Sequence, residues 1–265
     1  MKKLNIKKNT NPKISQEAHE LNQYAWINDV SDWQDLMGVY QQLKQQVAPK
    51  KVLLILEDIG QCNYTSMHAS MNDALYFDPS EYIGDVNGEE EDILYENSQP
   101  LAIKYYLEQL SKAENQVEFK NLKAKSKYSQ EDFDLLIQIH EYPEKILDSA
   151  IETKLVNVEL ESEKFVAQLN GYFSCDFNPM ESFSLIQYLE KNFALEYIGL
   201  GASLFFFIKT AQFNSINNQK LIDELTTIYG FDSMIVEFFK KHLMTHDYLI
   251  LPYVESLEVF EGCLD

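Results

Sequence analysis

The stretch "VLLILE", residues 52–57, decides the fold. Five apolar residues follow one another there before Glu57 ends the run. A strand with one wet face alternates apolar and polar side chains, whereas an unbroken apolar run this short reads as a strand covered on both faces. Such strands belong to sheets flanked by helices. The expected fold class is therefore α/β to α+β, a mixed sheet with packed helices.

Upstream, Trp33, Leu36, Met37, Tyr40, Leu43 and Val47 recur at helical spacing, which predicts a helix over 32–47. Downstream, residues 58–98 show no clean period, so short elements or a functional loop are expected there. A helix is predicted over 100–113, with Pro100 in its first turn and Ile103, Tyr106, Leu107 and Leu110 on its apolar face. Strands are predicted at 117–122 and at 133–140 ("FDLLIQIH"), followed by a helix opened by Pro143.

In the second half, Val156, Val158 and Leu160 alternate with polar residues as in a half-buried strand, and "KFVAQLNGYF" (164–173) reads as its hairpin partner. The sentence "NGYFSCDFNPMESF" (170–183) is a corner into a helix. Asn178 stands at the N-cap, Pro179 at the first helical position and Glu181 two residues later, a capping-box variant. One or two strands follow over 195–210, where Gly199 and Gly201 mark a bulge or a close backbone approach. A helix with Leu221, Leu225 and Ile228 ends at Gly230. A second, opened by Asp232, carries Ile235, Phe238, Phe239 and His242. The last strand, from Tyr248, contains Pro252 and so belongs at a sheet edge.

These elements divide near residue 150 into an α/β half (21–150, with the acidic loop 58–98) and an α+β half (151–265), preceded by a mobile basic tail (1–20). The two halves either separate or share one continuous sheet.

Charge narrows the function classes. The 265 residues hold 42 acids against 22 bases, a formal net charge of -20, and every base is lysine. Such a surface repels nucleic-acid phosphates and attracts basic partners. Guanidinium forks are the preferred groups for bidentate phosphate binding, so a chain without arginine argues against nucleotide transfer, although a compositional bias towards Lys, Asn, Ile, Phe and Tyr accounts for the same absence. Residues 52–103 contain eleven acids and no lysine. No apolar run approaches the ~20 residues of a membrane span. Three dispersed cysteines and a start without an apolar leader core fit a reducing cytoplasm.

Three groups of residues are candidates for chemistry. Cys62 follows the first strand, and His140 and Glu141 end the predicted strand 133–140. If those strands are parallel neighbours, a thiolate, a base and an orienting carboxylate meet at one sheet edge. His242 and His246 stand at i, i+4, a spacing that lets two imidazoles share a metal ion, but Leu243 occupies the place of a zincin glutamate. "DVNGEEED" (85–92) fails as a calcium loop, because Ile83 and Leu94 fall where ligands are required. No phosphate-loop, dinucleotide or nucleophile-elbow motif occurs, and no cofactor is expected.

The remaining pattern is an acidic segment laced with aromatics: Tyr76, Asp78, Glu81, Tyr82, Asp85, Glu89, Glu90, Glu91, Asp92 and Tyr95. Aromatic anchors in a charged rim are how protein interfaces obtain their energy. The expected function is therefore non-catalytic binding of a basic protein, as an immunity protein or antitoxin masks a toxin. The alternative is a cysteine hydrolase or transferase. Oligomeric state stays open at this level.

Overall fold

The computed structural model describes residues 14–15, 23–83, 91–124 and 127–264. Residues 52–55 lie, as their unbroken apolarity requires, in a strand without solvent contact: all four are 0% exposed. That strand, Lys51–Ile55, is the fourth position of a seven-stranded mixed sheet. Its strands are β1 (Ile14–Ser15), β2 (Gln23–Asn28), β3 (Lys51–Ile55), β4 (Ala150–Val156), β5 (Leu195–Leu200), β6 (Leu204–Lys209) and β7 (Tyr248–Pro252), in the order β1-β2-β4-β3-β5-β6-β7. Every neighbouring pair is antiparallel except β3 and β5. The sheet draws strands from both sides of residue 150, so the shared-sheet arrangement holds.

The parallel joint explains a glycine. Gly199 sits at a register shift of β5 against β6, and a Cβ there would meet the Leu54 carbonyl oxygen at 2.0 Å. Only a residue without a side chain lets the two backbones pair this closely.

Eight α-helices are described: α1 (Trp33–Val47), α2 (Ile59–Ala69), α3 (Ser80–Ile83), α4 (Glu91–Ser111), α5 (Gln130–Glu141), α6 (Pro179–Phe193), α7 (Asn218–Tyr229) and α8 (Ser233–Thr245). Helix α1 matches its periodicity and is capped by Asp32, which accepts from the Asp35 N–H at 2.8 Å. The capping box before α6 is formed: Asn178 accepts from the Glu181 N–H and Glu181 from the Asn178 N–H, both at 2.9 Å. Gly230 ends α7 with φ +69°, and Asp232 caps α8.

Several local expectations change. "FDLLIQIH" is helix α5, because Ser129 and Asp132 form a reciprocal capping box and bury Phe133, Leu136, Ile139 and His140 on one side. An eight-residue apolar run carries no period of its own, and the cap decides it. Around 117–122 there is only a 3₁₀ turn, Phe119–Asn121, and after Pro143 another, Pro143–Ile146. Strand β4 begins at Ala150 and stops at Val156, and its hairpin partner is instead a 3₁₀ segment, Ser162–Ala167. Helix α4 starts at Glu91, so Pro100 lies inside it.

That 3₁₀ segment places a lysine in the core. Lys164 is 0% exposed, and its ammonium donates to Tyr40 Oη at 3.0 Å and pairs with Glu161 at 2.8 Å. Tyr40 donates onward to Glu196 at 2.6 Å, and Lys44 and Lys51 close the knot on Glu196 and Glu161. Burial pushes the Glu161 carboxyl up, but Lys164, Lys44 and Lys51 overcome this and hold it at about 2. Breaking one member of a buried ion network strands the others, so Lys164→Met should lower the unfolding free energy by about 3–5 kcal/mol in urea titration.

Candidate functional site

The residues proposed for nucleophilic catalysis do not meet. Cys62 lies one turn into α2 and is 0% exposed; its Sγ accepts from Gln168 Nε2 at 3.5 Å and Asn170 Nδ2 at 3.7 Å. Burial raises the thiol well above its ordinary range, and the nearby Glu57 carboxylate adds to the effect. The opposite is needed for a nucleophile. His140 belongs to a helix packed on β7, three strand spacings from β3, or about 14 Å across the sheet. Glu141, the last residue of α5, is exposed.

His140 is also fully committed. Its Nδ1–H donates to the Leu136 carbonyl at 2.8 Å, and its Nε2 accepts the Ile250 N–H at 3.0 Å. The ring thus caps the edge of the sheet and has no lone pair left for chemistry. His242 and His246 stack with ring centroids 4.4 Å apart and planes 6° from parallel. Metal ions bind imidazole lone pairs in the ring plane, and two parallel rings do not aim theirs at one point. Among the described residues no group of three His, Cys, Asp or Glu is arranged to hold a metal ion.

The carboxyl ends of β3 and β5 are where a parallel pair usually offers a ligand crevice. Here Glu57 fills that place. Its Oε1 accepts the Ser203 N–H at 2.6 Å, and the turn wraps so tightly that a Cβ on Gly201 would lie 2.3 Å from the Glu57 side chain. Burial pushes the Glu57 carboxyl up to about 8, against the lowering effect of the backbone N–H groups of Ser203 and Leu204.

What the molecule shows outward lies on top of Cys62. Helix α2 turns Cys62, Thr65 and Ala69 inward. Its opposite side, continued into the next turn, carries Tyr64, Met67, His68 and Met71, with Tyr64, Met67 and Met71 49%, 50% and 56% exposed. The helix thus puts large apolar groups on its wet side. Tyr172 and Phe173, both exposed, extend the surface from the 170s corner. His68 bridges the two elements, with ring centroids 4.5 Å from Tyr64 and 4.7 Å from Tyr172.

The corner that carries Tyr172 and Phe173 is stapled. Gly171 has φ +94°, and a Cβ there would sit 1.8 Å from the Phe177 carbonyl oxygen. Asp176 N–H donates to Phe173 O at 3.0 Å, and Phe177 N–H to Tyr253 O at 2.8 Å. The stretch 170–183 is therefore the predicted corner, and its tip presents two aromatic rings. The α2 stripe has helical spacing in the sequence, but the segment's lack of an inward apolar period hid it.

The acidic segment is described in part. Tyr76 is 59% exposed and Glu81 is exposed. Asp78 accepts from both the Ser80 N–H and its hydroxyl and so opens α3. Tyr82 lies in α3, and Glu91, Asp92 and Tyr95 lie in the first turns of α4, with side chains outside the described residues; Asp85, Glu89 and Glu90 lie outside them altogether. Asp58 and Asp73 add exposed carboxylates at either end of α2.

Two measurements check these placements. Under native conditions Cys62 should be inert to a thiol reagent such as Ellman's, while the exposed Cys263 reacts, and denaturant should release the Cys62 thiol. The raised Glu57 pKa has a definite sign. The folded protein keeps this group protonated while the unfolded chain ionises, so its contribution is full below the ordinary 4.5 and is lost as pH rises to about 8. Glu57→Gln keeps the oxygen that accepts the Ser203 N–H, and should make stability flatter than wild type between these pH values.

Among the described residues no helix is long and apolar enough to cross a membrane. Comparison with protein-family models, with curated proteins and with solved structures finds no match for the chain, so the chemistry of its own surface has to carry the functional reading.

Proposed function

We propose that the protein works by binding a basic protein partner, with the α2 face and the Tyr172–Phe173 corner as the anchor and the surrounding carboxylates as the steering charge. The observation that carries this reading is the exposed set Tyr64, Met67, Met71, Tyr172 and Phe173, with the half-buried His68 ring between Tyr64 and Tyr172 over a stapled corner. Apolar groups exposed as a cluster, rather than singly, mark interaction surfaces. Aromatic side chains lose little entropy on docking, and methionine adapts to the shape it meets.

Charge supports the sign of the partner. The α2 part of the anchor lies within a run of 52 residues, 52–103, with eleven acids and no lysine, in a chain of net charge -20. A like-charged partner is repelled and a basic one is drawn in, with association accelerated by about 10–1,000-fold at low salt. An immunity protein or antitoxin that masks a basic toxin is the most concrete form of this role. Three unpaired cysteines favour a reducing compartment, the cytoplasm, as its place of work. The burial of Cys62 and the distance of His140 from it weigh against the cysteine-hydrolase alternative.

The test is capture from the host's own lysate at ~0.05 M and ~0.5 M salt, followed by binding kinetics with the purified partner. Tyr64→Ser combined with Tyr172→Ser should weaken binding by about 30-fold or more through faster dissociation, with the circular dichroism spectrum unchanged. Asp73→Asn with Glu81→Gln should instead slow association and reduce its salt dependence. A partner that is acidic, or binding indifferent to both pairs, would sink the proposal.

A further inference from the structure

Three of the five histidines meet at one corner of the sheet, away from the surface just described. His140 on α5 lies with its ring centroid 4.8 Å from that of His242 on α8, and His246, at the C-cap of α8, stacks on His242 at 4.4 Å. The hydrogen bonds of His140 define its charge state. His140 Nε2 accepts the Ile250 N–H, so that nitrogen carries no proton, and Nδ1–H donates to Leu136. His242 Nε2–H donates to the Tyr248 carbonyl at 3.0 Å. Tyr248 in turn donates its hydroxyl to the His140 carbonyl at 2.5 Å. All three bonds to Tyr248 and Ile250 hold α5 and α8 on β7, the last strand of the sheet.

We propose that this corner is an acid-sensitive latch: uncharged imidazoles hold α5 and α8 on the outer edge of β7, and protonation releases that edge. A second proton on His140 has only Nε2 to occupy, where it faces the Ile250 N–H, donor against donor. A proton on His242 places a cation 4.8 Å from the centre of the His140 ring and 4.4 Å from that of His246. The other groups at the corner offer little compensation. From the end of β6, the Lys209 ammonium donates to the Leu243 and His246 carbonyls at 2.5 and 2.6 Å and adds a positive charge. From α8, Phe238 and Phe239 pack on His140, and from α1 Trp33 packs on Tyr248. Asp247, in the turn before β7, and Glu144, after α5, act on Lys209 and Tyr248 rather than on the buried rings.

The burial of His140 and His242 lowers the basicity of both, that of His242 to about 4. The sign follows. The unfolded or opened corner takes up protons near the ordinary 6.5, the closed one does not, and closure is lost progressively as pH falls from 6.5 towards 4. An opened β7 presents unpaired backbone groups, the kind of edge that other chains pair with. This inference is independent of the proposed binding role.

Hydrogen exchange of the full chain, read by mass spectrometry between pH 7 and 4.5, tests it. Protection of Tyr248–Pro252 should fall by about tenfold or more relative to Leu195–Leu200 in the same molecule, after correction for intrinsic rates. His140→Gln and His242→Gln should each shrink that fall. If neither folds, the exposed-ring variant His246→Gln should change the midpoint of the fall, because it removes the ring stacked on His242. Protection of β7 that follows β5 at every pH overturns the latch, as does a fall of unchanged size and midpoint in every variant that folds.

Discussion

The pairing of β3 with β5 is the constraint on which the rest of the molecule depends. Strand β3 lies between β4 on one side and β5 on the other, and it joins β1, β2 and β4 to the hairpin and edge formed by β5, β6 and β7. The parallel contact is short, Leu54 with Gly199 and Ile55 with Leu200, and it tolerates no side chain at Gly199. A parallel pair needs a long crossover rather than a tight turn. Between β3 and β5 the chain therefore spends well over a hundred residues, and the surface helix α2, the acidic segment and the 170s corner are all built from that excursion.

A second theme is that titratable side chains inside this protein serve structure. Lys164, Glu161, Glu196 and Tyr40 tie the amino-terminal ends of β3 and β5 to α1. Glu57 closes their carboxyl-terminal ends by holding the β5–β6 turn. Asp132 accepts from Leu257 N–H at 2.6 Å and Ser129 N–H at 2.8 Å, fastening the C-terminal segment to α5. Each of these groups is costly to bury and is retained where backbone donors or countercharges satisfy it. The His140 ring is the exception in kind: its two hydrogen bonds are satisfied for the neutral imidazole only.

The exposed surface follows the opposite rule. Helix α2 buries small residues and shows large ones, because the space beneath it is filled by Cys62 and the polar side chains of Gln168 and Asn170. Gln168 Nε2 also bonds the Cys62 carbonyl at 3.2 Å and Asn63 Oδ1 at 3.0 Å, so the helix is pinned by hydrogen bonds more than by apolar packing. The aromatic rings are thereby held outward on a rigid base. Preorganisation of this kind reduces the entropy lost when a surface is covered.

The division of labour between sequence and tertiary structure is clear in particular residues. Local signals with a physical mechanism were legible: the doubly covered strand within 52–57, the α1 stripe, the Asn178–Glu181 box, the Gly230 stop, and the acidic character of 52–103. The close approach at Gly199 was legible as an alternative to a bulge, and the structure has both. Period-free segments were not legible, since an apolar run such as "FDLLIQIH" suits a strand or a buried helix until its cap is weighed. Placing 133–140 in the sheet created the supposed meeting of Cys62 with His140, and the capping box at Ser129 dissolves it. What only the tertiary structure decided is which groups share a neighbourhood: that α2 faces outward with its large residues, that the Tyr172 ring lies against His68, and that His140 reaches His242 and β7 from more than a hundred residues away. Strand order and helix orientation depend on long-range packing free energy, which no local spacing encodes.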